Sequence, residues 1–337
     1  MRFGIFAPIP MATVGAPETV LAARAALAPL SDDELDRQFL FAERILTLAD
    51  QVGFDLCLYA ERHLGHDLSA WVLASAMAPK LRRMLSLVAV HPGLWDPVMV
   101  SKLATSLDRV TRGRMAINIV NGWYDEEFRM FGGEVLAGEE RYERAGEFID
   151  IIRSLWSSPE VSHHGKHYDV DKARLLLKPG SPRSPEIYSV SAGDKGREFI
   201  AKYCDWWFIN YPKEATSTAE VMAAIESCIV DMNERSGRYG RRLRYAMNPF
   251  IAIGASEEDA VEKTLQTIFV SEENPDRRKI EVRMMPNMRA GLMGKPDDVV
   301  AQLKRFQDLG LELILFKMIP SPENVQRIGE QIISRMS

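Results

Sequence analysis

The chain has 337 residues, of which 46% are hydrophobic and 26% charged, an ordinary globular balance with apolar material for a large core. A formal net charge of -5, with Lys and Arg spread through the chain rather than gathered in a basic arm, argues against nucleic acid as a partner. Cys57, Cys204 and Cys228 are widely separated and fit neither a disulfide framework nor zinc spacing, so no metal site is expected and a reducing cytoplasm is the expected setting. The first residues, MRFGIFAPIP, are broken by Pro8 and Pro10, and no apolar stretch reaches the roughly 20 residues of a membrane span.

Short apolar runs alternate with longer amphipathic segments along the chain. The predicted strands are Arg2–Ile9, Asp55–Ala60, Leu85–Val90, Met115–Val120, Glu186–Ser191, Trp206–Asn210, Arg244–Ile253 and Leu311–Met318. Most are continuous in Val, Ile, Leu, Phe and Ala, as parallel strands covered on both faces are. The predicted helices are Asp32–Val52, Val98–Val110, Glu139–Trp156, Lys195–Tyr203, Ala215–Arg235, Ser256–Val270 and Pro296–Leu309. Gly53 and Gly310 supply stop signals, and Pro296 and the acidic run after Ser256 supply starts. Eight strands separated by helical segments, with no linker between halves, predict one (β/α)8 TIM barrel over residues 1–337. Three segments exceed a minimal barrel: 121–138, 157–179 and 271–294. The second, with His163, His164 and His167, reads as an exposed hairpin turning at Gly165.

In such a barrel the chemistry sits at the carboxyl ends of the strands. The second strand then presents Glu61, Arg62, His63 and His66, and the third His91. The fourth presents Asn118, then Asn121, Gly122, Trp123 and Glu127, and the fifth Ser191, Ala192 and Gly193. The Ser-Ala-Gly-Asp turn is either an anion site at a helix start or a tight turn with Asp194 as cap. His63, His66 and His91 are candidate proton carriers or satisfied polar residues. No GxSxG, HExxH or GxxxxGK[ST] motif occurs, which favours chemistry supplied by a cofactor.

Met115-Ala-Ile-Asn-Ile-Val-Asn-Gly-Trp, Asp125-Glu-Glu-Phe and Glu140-Arg-Tyr-Glu resemble the bacterial luciferase-like flavin-dependent monooxygenases, in the branch of alkanesulfonate, dimethylsulfone and pyrimidine enzymes. Arg2-Phe-Gly-Ile-Phe-Ala-Pro-Ile, Val88-Ala-Val-His-Pro-Gly-Leu-Trp-Asp-Pro, Ser106-Leu-Asp-Arg-Val-Thr-Arg-Gly-Arg, Arg277-Arg-Lys-Ile-Glu and Pro286-Asn-Met-Arg-Ala-Gly match in the same order. The resemblance implies reduced FMN as cofactor, supplied by a separate NAD(P)H-dependent flavin reductase. It also implies molecular oxygen as co-substrate, a small organosulfur compound or nitrogen heterocycle as substrate, and a homo-oligomer. Cofactor contacts fall on Glu61, Arg62, Asn118, Glu127, Arg141, Tyr142, Ser191, Ala192 and Gly193. Catalytic roles fall on His91, Asn118 and His66, and substrate contacts on Trp123, Arg277 and Arg278. In the fifth-strand turn, Ala192 and Gly193 lack the hydroxyl that relatives carry, leaving backbone N–H groups with Lys195 or Arg197. His91 replaces the Arg of the sulfonate enzymes; losing that bidentate clamp argues against a simple sulfonate substrate. The alternatives are a deazaflavin-dependent hydride-transfer oxidoreductase and a non-catalytic flavin-binding barrel.

Overall fold

Alternation within the strands determines the architecture. The computed structural model describes residues 1–7, 32–61, 63, 68–122, 125–180, 183–210, 215–268 and 289–336. In chain order the elements are β1 (Arg2–Phe6), α1 (Asp32–Val52), β2 (Leu56–Tyr59), α2 (Ala70–Met77), β3 (Leu85–Val90), α3 (Pro97–Thr111), β4 (Met115–Ile119), α4 (Asp125–Met130) and α5 (Glu140–Ser157). They continue as β5 (Val161–His164), β6 (Asp169–Ala173), β7 (Glu186–Val190), α6 (Asp194–Tyr203), β8 (Trp206–Ile209), α7 (Thr218–Arg238), β9 (Arg244–Met247) and β10 (Ala252–Ile253). The last are α8 (Glu257–Ile268), β11 (Met293–Gly294), α9 (Pro296–Asp308), β12 (Leu311–Phe316) and α10 (Pro322–Gln331). The order β1-β12-β9-β8-β7-β4-β3-β2 closes a parallel barrel, as the sequence predicts.

Residues of one parity point inward and those of the other meet the helices. Leu56, Leu58, Leu87, Ala116, Tyr188, Trp206, Phe208, Ala246, Leu313 and Leu315 form the inner core. Their neighbours Cys57, Val88, Ile117, Ile187, Trp207, Ile314 and Phe316 join the larger core beneath the helices. Phe316 stacks on Phe3 at 5.5 Å and meets Phe54 edge-on at 6.4 Å.

The amino ends of the strands are sealed. Tyr188 and Trp206 stack at 5.0 Å with ring planes 7° apart, and the Arg244 guanidinium lies 3.9 Å from the centre of the Trp206 ring. Arg244 also donates to Glu186 at 3.0 Å and Glu312 at 2.9 Å, while Trp206 Nε1 donates to Glu186 at 3.0 Å. Indole, guanidinium and two carboxylates therefore form one satisfied floor.

Two expectations are corrected. Arg244–Ile253 is not one strand: the barrel strand stops at Met247, and Ala252–Ile253 pairs instead with Met293–Gly294 in a separate sheet. Pro249 has no N–H for the ladder, although its carbonyl still accepts from Lys317 N at 2.8 Å. The hairpin also forms as β5–β6, but only His164 of its three histidines is exposed; His163 and His167 are half-buried. Helices α2, α4 and α10 were not predicted. The 121–138 excursion contains α4, and residues 271–288 of the third excursion, with the last two residues of the predicted helix Ser256–Val270, lie outside the described residues.

Glu147, on α5, holds the hairpin turn. Its carboxylate accepts from Lys166 N at 2.9 Å, His167 N at 3.0 Å and Tyr168 N at 3.1 Å, with His163 Nε2 at 3.4 Å. Burial alone would raise its pKa, but these donors together hold it below the usual carboxylate range. A depressed folded-state pKa contributes stability above the unfolded value and loses it as pH falls through the folded one. Glu147→Gln is therefore expected to cost about 1–2 kcal/mol at pH 7. In thermal melts across pH, the gap between wild type and variant should close below about pH 4; a gap independent of pH would refute the role.

Candidate active site

The carboxyl ends of the strands remain open. Phe6 and Val190, packed on the top of the inner core, are only partly buried, and alternation carries Val120 and Asn248, half-buried, and Asn210 and Lys317, exposed, to the same face. A solvent-accessible mouth lies there, facing away from the sealed floor.

One side of the mouth is polar and deeply buried: His91 has 2% relative exposure, Glu61 and Glu127 3%, and Asn118 5%. Glu61 follows β2, and its carboxylate accepts from Ala70 N at 3.2 Å and Ser69 Oγ at 3.5 Å. A carboxylate at a helix start suits both the free N–H groups and the dipole, so Glu61 anchors α2. Glu127, on α4, accepts from His63 N at 3.2 Å. The His63 ring lies 5.4 Å from the His91 ring and 4.7 Å from that of Phe131. The structure thus brings Glu61, His63, His91, Asn118 and Glu127 to one side. Asn118 Oδ1 and both amide atoms of Asn121 are buried without a hydrogen-bond partner among the described residues. Buried amides in that state are costly unless a ligand or water satisfies them.

Arg144, on α5, is a residue that the sequence reading missed. It is buried, lies 5.5 Å from the Phe128 ring centre, and donates to the Glu134 carbonyl at 3.0 Å. Burial lowers its pKa below the ordinary guanidinium value, and burial raises Tyr168 to about 12 despite Arg144 nearby. Its guanidinium occupies the space where a side chain at position 93 would stand, and Gly93 has φ +95°. The turn after His91 therefore requires glycine twice over, and Arg144 positions it.

The adjacent ends of β4 and β7 make a second cluster. Arg141 donates to the Gly122 carbonyl at 3.1 Å and lies 5.1 Å from the Tyr142 ring centre. The Tyr142 hydroxyl is 3.2 Å from Ser191 Oγ, and the Ser191 carbonyl accepts from Trp207 Nε1 at 3.1 Å. Asp194 does not cap α6: the capping position is Gly193, which has no side chain to offer, and Asp194 is the first helical residue. The amino end of α6 thus lacks a side-chain cap beside two hydroxyls, an arrangement suited to an anion. Lys195 and Arg197 are already engaged, with Glu139 at 2.8 Å and Asp231 at 3.2 Å. Backbone N–H groups, Tyr142 and Ser191 are the groups left for a phosphate. Arg62, His66, Trp123, Arg277 and Arg278 lie outside the described residues.

These groups fit a ligand with a polar planar body and an anionic tail: unsatisfied amides at Asn118 and Asn121, and an uncapped helix start next along the rim. Among the described residues, no cluster of His, Cys, Asp and Glu suits a metal ion, and no helix is long and apolar enough to cross a membrane.

A parallel barrel sealed at one end, with its polar residues gathered at the other, belongs to the class of (β/α)8 enzymes. The sequence model of the family described as luciferase-like monooxygenase matches residues 1–313, and the chain belongs to that family. It is 23% identical over 324 residues to the FMNH(2)-dependent dimethylsulfone monooxygenase of Pseudomonas putida, covering 87% of this chain and 86% of that protein. Its fold matches the EDTA monooxygenase of Chelativorans sp. BNC1 with a TM-score of 0.78 at 14% identity, covering 100% of this chain and 93% of that one. It also matches a long-chain alkane monooxygenase with a TM-score of 0.77 at 18% identity, covering 100% and 91%.

The Tyr142–Ser191 pair depends on Gly196. A Cβ there would collide with the Ser191 side chain and crowd the Tyr142 hydroxyl. Glycine to alanine inside a helix ordinarily stabilises by about 0.5–1 kcal/mol. Here Gly196→Ala is expected to lower the melting temperature instead, and adding Ser191→Gly should restore it; a stabilised single variant would show that the contact is not tight.

Proposed function

We propose that this chain is the oxygenase of a two-component, FMNH2-dependent monooxygenase. In this reading reduced FMN, supplied by a separate NAD(P)H-dependent flavin reductase, binds in the mouth, and one atom of O2 enters a small organosulfur compound or nitrogen heterocycle. The observation that carries it is the uncapped start of α6 beside Tyr142 and Ser191, one strand along from the unsatisfied amides of Asn118 and Asn121. The dimethylsulfone enzyme, related along most of both chains, is named for dependence on FMNH2.

Bound reduced flavin supplies electrons for oxygen activation. The chain's own residues bind, orient and exclude water. Backbone N–H groups at the start of α6, with the Tyr142 and Ser191 hydroxyls, hold the phosphate. Asn118 and Asn121 would hydrogen-bond the ring system, and Glu127 fixes the His63 backbone. His91, held by the turn that Arg144 supports, carries a proton at an imidazole nitrogen, with His66 as the second candidate. Glu61, Arg62 and Arg141 complete the cofactor wall, and Trp123, Arg277 and Arg278 face substrate. Residues 1–337 act as one barrel domain, assembled as a homo-oligomer and working in the cytoplasm.

Anaerobic titration of the protein with dithionite-reduced FMN, followed by flavin fluorescence, tests this directly. Saturable binding is expected, and absence of saturation would refute the proposal. Tyr142→Phe combined with Ser191→Ala should weaken binding by about tenfold, the effect of losing hydrogen bonds to a charged group. A screen of sulfones, sulfonates and nitrogen heterocycles with a generic flavin reductase, reading substrate-stimulated oxygen uptake, then separates an oxygenase from a barrel that only binds flavin.

A further inference from the structure

The polar residues discussed so far line the β2, β3, β4 and β7 side of the mouth. The opposite side carries a cation that the sequence reading passed over. Lys317 follows β12 directly, and its backbone continues the ladder through a bridge to Phe250. Leu313 and Leu315, two and four residues earlier, belong to the inner core, whereas Ile314 and Phe316 pack outward. Alternation therefore directs Lys317 inward, on the rung above Leu315. β12 stands opposite β4, the strand of Asn118, in the order of the closed barrel.

Three observations together set Lys317 apart from a surface lysine. It stands on the inward face of a barrel strand yet is exposed, so solvent reaches it through the mouth. The protein packed around it lowers its pKa from the ordinary lysine value. Among the described residues its side chain has neither an ion pair nor a hydrogen bond, whereas Lys263 is paired with Asp259 and Arg335 with Asp297. The nearby inward positions, Asn210 and Asn248, bring amides but no negative charge. An ammonium at an inward strand position, without a counter-ion among the described residues, is a site whose missing partner is an anion.

We propose that Lys317 is the specificity-determining group of the substrate pocket and that the substrate carries a small acidic group, a carboxylate, sulfinate or sulfonate, which pairs with this ammonium. The proposal rests on the reading of the mouth as the site that takes substrate. It also accounts for His91 in place of an arginine clamp: the cation stands on the opposite wall, as a point charge rather than a planar fork.

The test is calorimetric binding of hexanoate, hexanesulfonate and hexanamide, run on flavin-free protein and repeated anaerobically with reduced FMN present. Wild type should bind both anions at least about tenfold more tightly than the neutral amide, the scale of one charge-assisted hydrogen bond. Lys317→Met should abolish that preference while leaving reduced-FMN affinity within about twofold, a change under half a kcal/mol, and Lys317→Arg should retain it. Equal binding of charged and neutral probes by wild type, or a preference surviving in Lys317→Met, would overturn the proposal. So would a loss confined to FMN affinity, which would assign Lys317 to the cofactor. Because the first arm contains no flavin, an anion preference that persists when FMN does not bind would separate the failure of the cofactor reading from that of this one.

Discussion

Everything in this molecule depends on how the barrel is closed at one end. Arg244 lies against Trp206 and bonds to Glu186 and Glu312, while Trp206 stacks on Tyr188 and donates to Glu186. Four β-strands contribute to this one floor, and each charged group in it has a partner. A cavity containing unsatisfied polar groups is tolerable only when water and ligand enter from one chosen side. Sealing the amino end makes the carboxyl end the place where polar residues can be left unmatched.

The mouth uses that freedom unevenly. On the β2–β3–β4 side, carboxylates are spent on helices and backbone: Glu61 on the start of α2, Glu127 on the His63 N–H. The backbone beside them, that of His63 included, is thereby fixed in place. Along the rim, the Tyr142–Ser191 pair and the bare start of α6, the anion cradle of the proposed function, lie beside cations that already have partners. Buried charge is costly, so on this side of the mouth the protein uses its acids as structural anchors.

The barrel was legible because parallel strands covered on both faces are written as unbroken apolar runs, and β3 was predicted residue for residue. The strand-end rule then converted those runs into a roster of site residues, including His91, Asn118 and Ser191. The failures have physical causes. Pro249 interrupts a run that composition alone reads as continuous. Helix α2, Ala-Trp-Val-Leu-Ala-Ser-Ala-Met, is too short and too uniformly apolar to show a 3.6-residue period. Asp194 looked like a cap, but the turn places Gly193 there. Arg144 lies mid-helix among alternating charges, and nothing local marks it as the one that turns inward. Lys317 did carry a signal: a cation ending the run Leu-Glu-Leu-Ile-Leu-Phe, on the parity of Leu313 and Leu315. Reading the last strand for parity as well as for hydrophobicity would have found it.

The sealed floor also governs traffic. A vessel with a single doorway imposes a queue: whatever is to rest deepest must arrive first and depart last. Whatever enters this barrel from the carboxyl end must also leave by it, so arrival and departure share one passage that is set by residues at the opposite end.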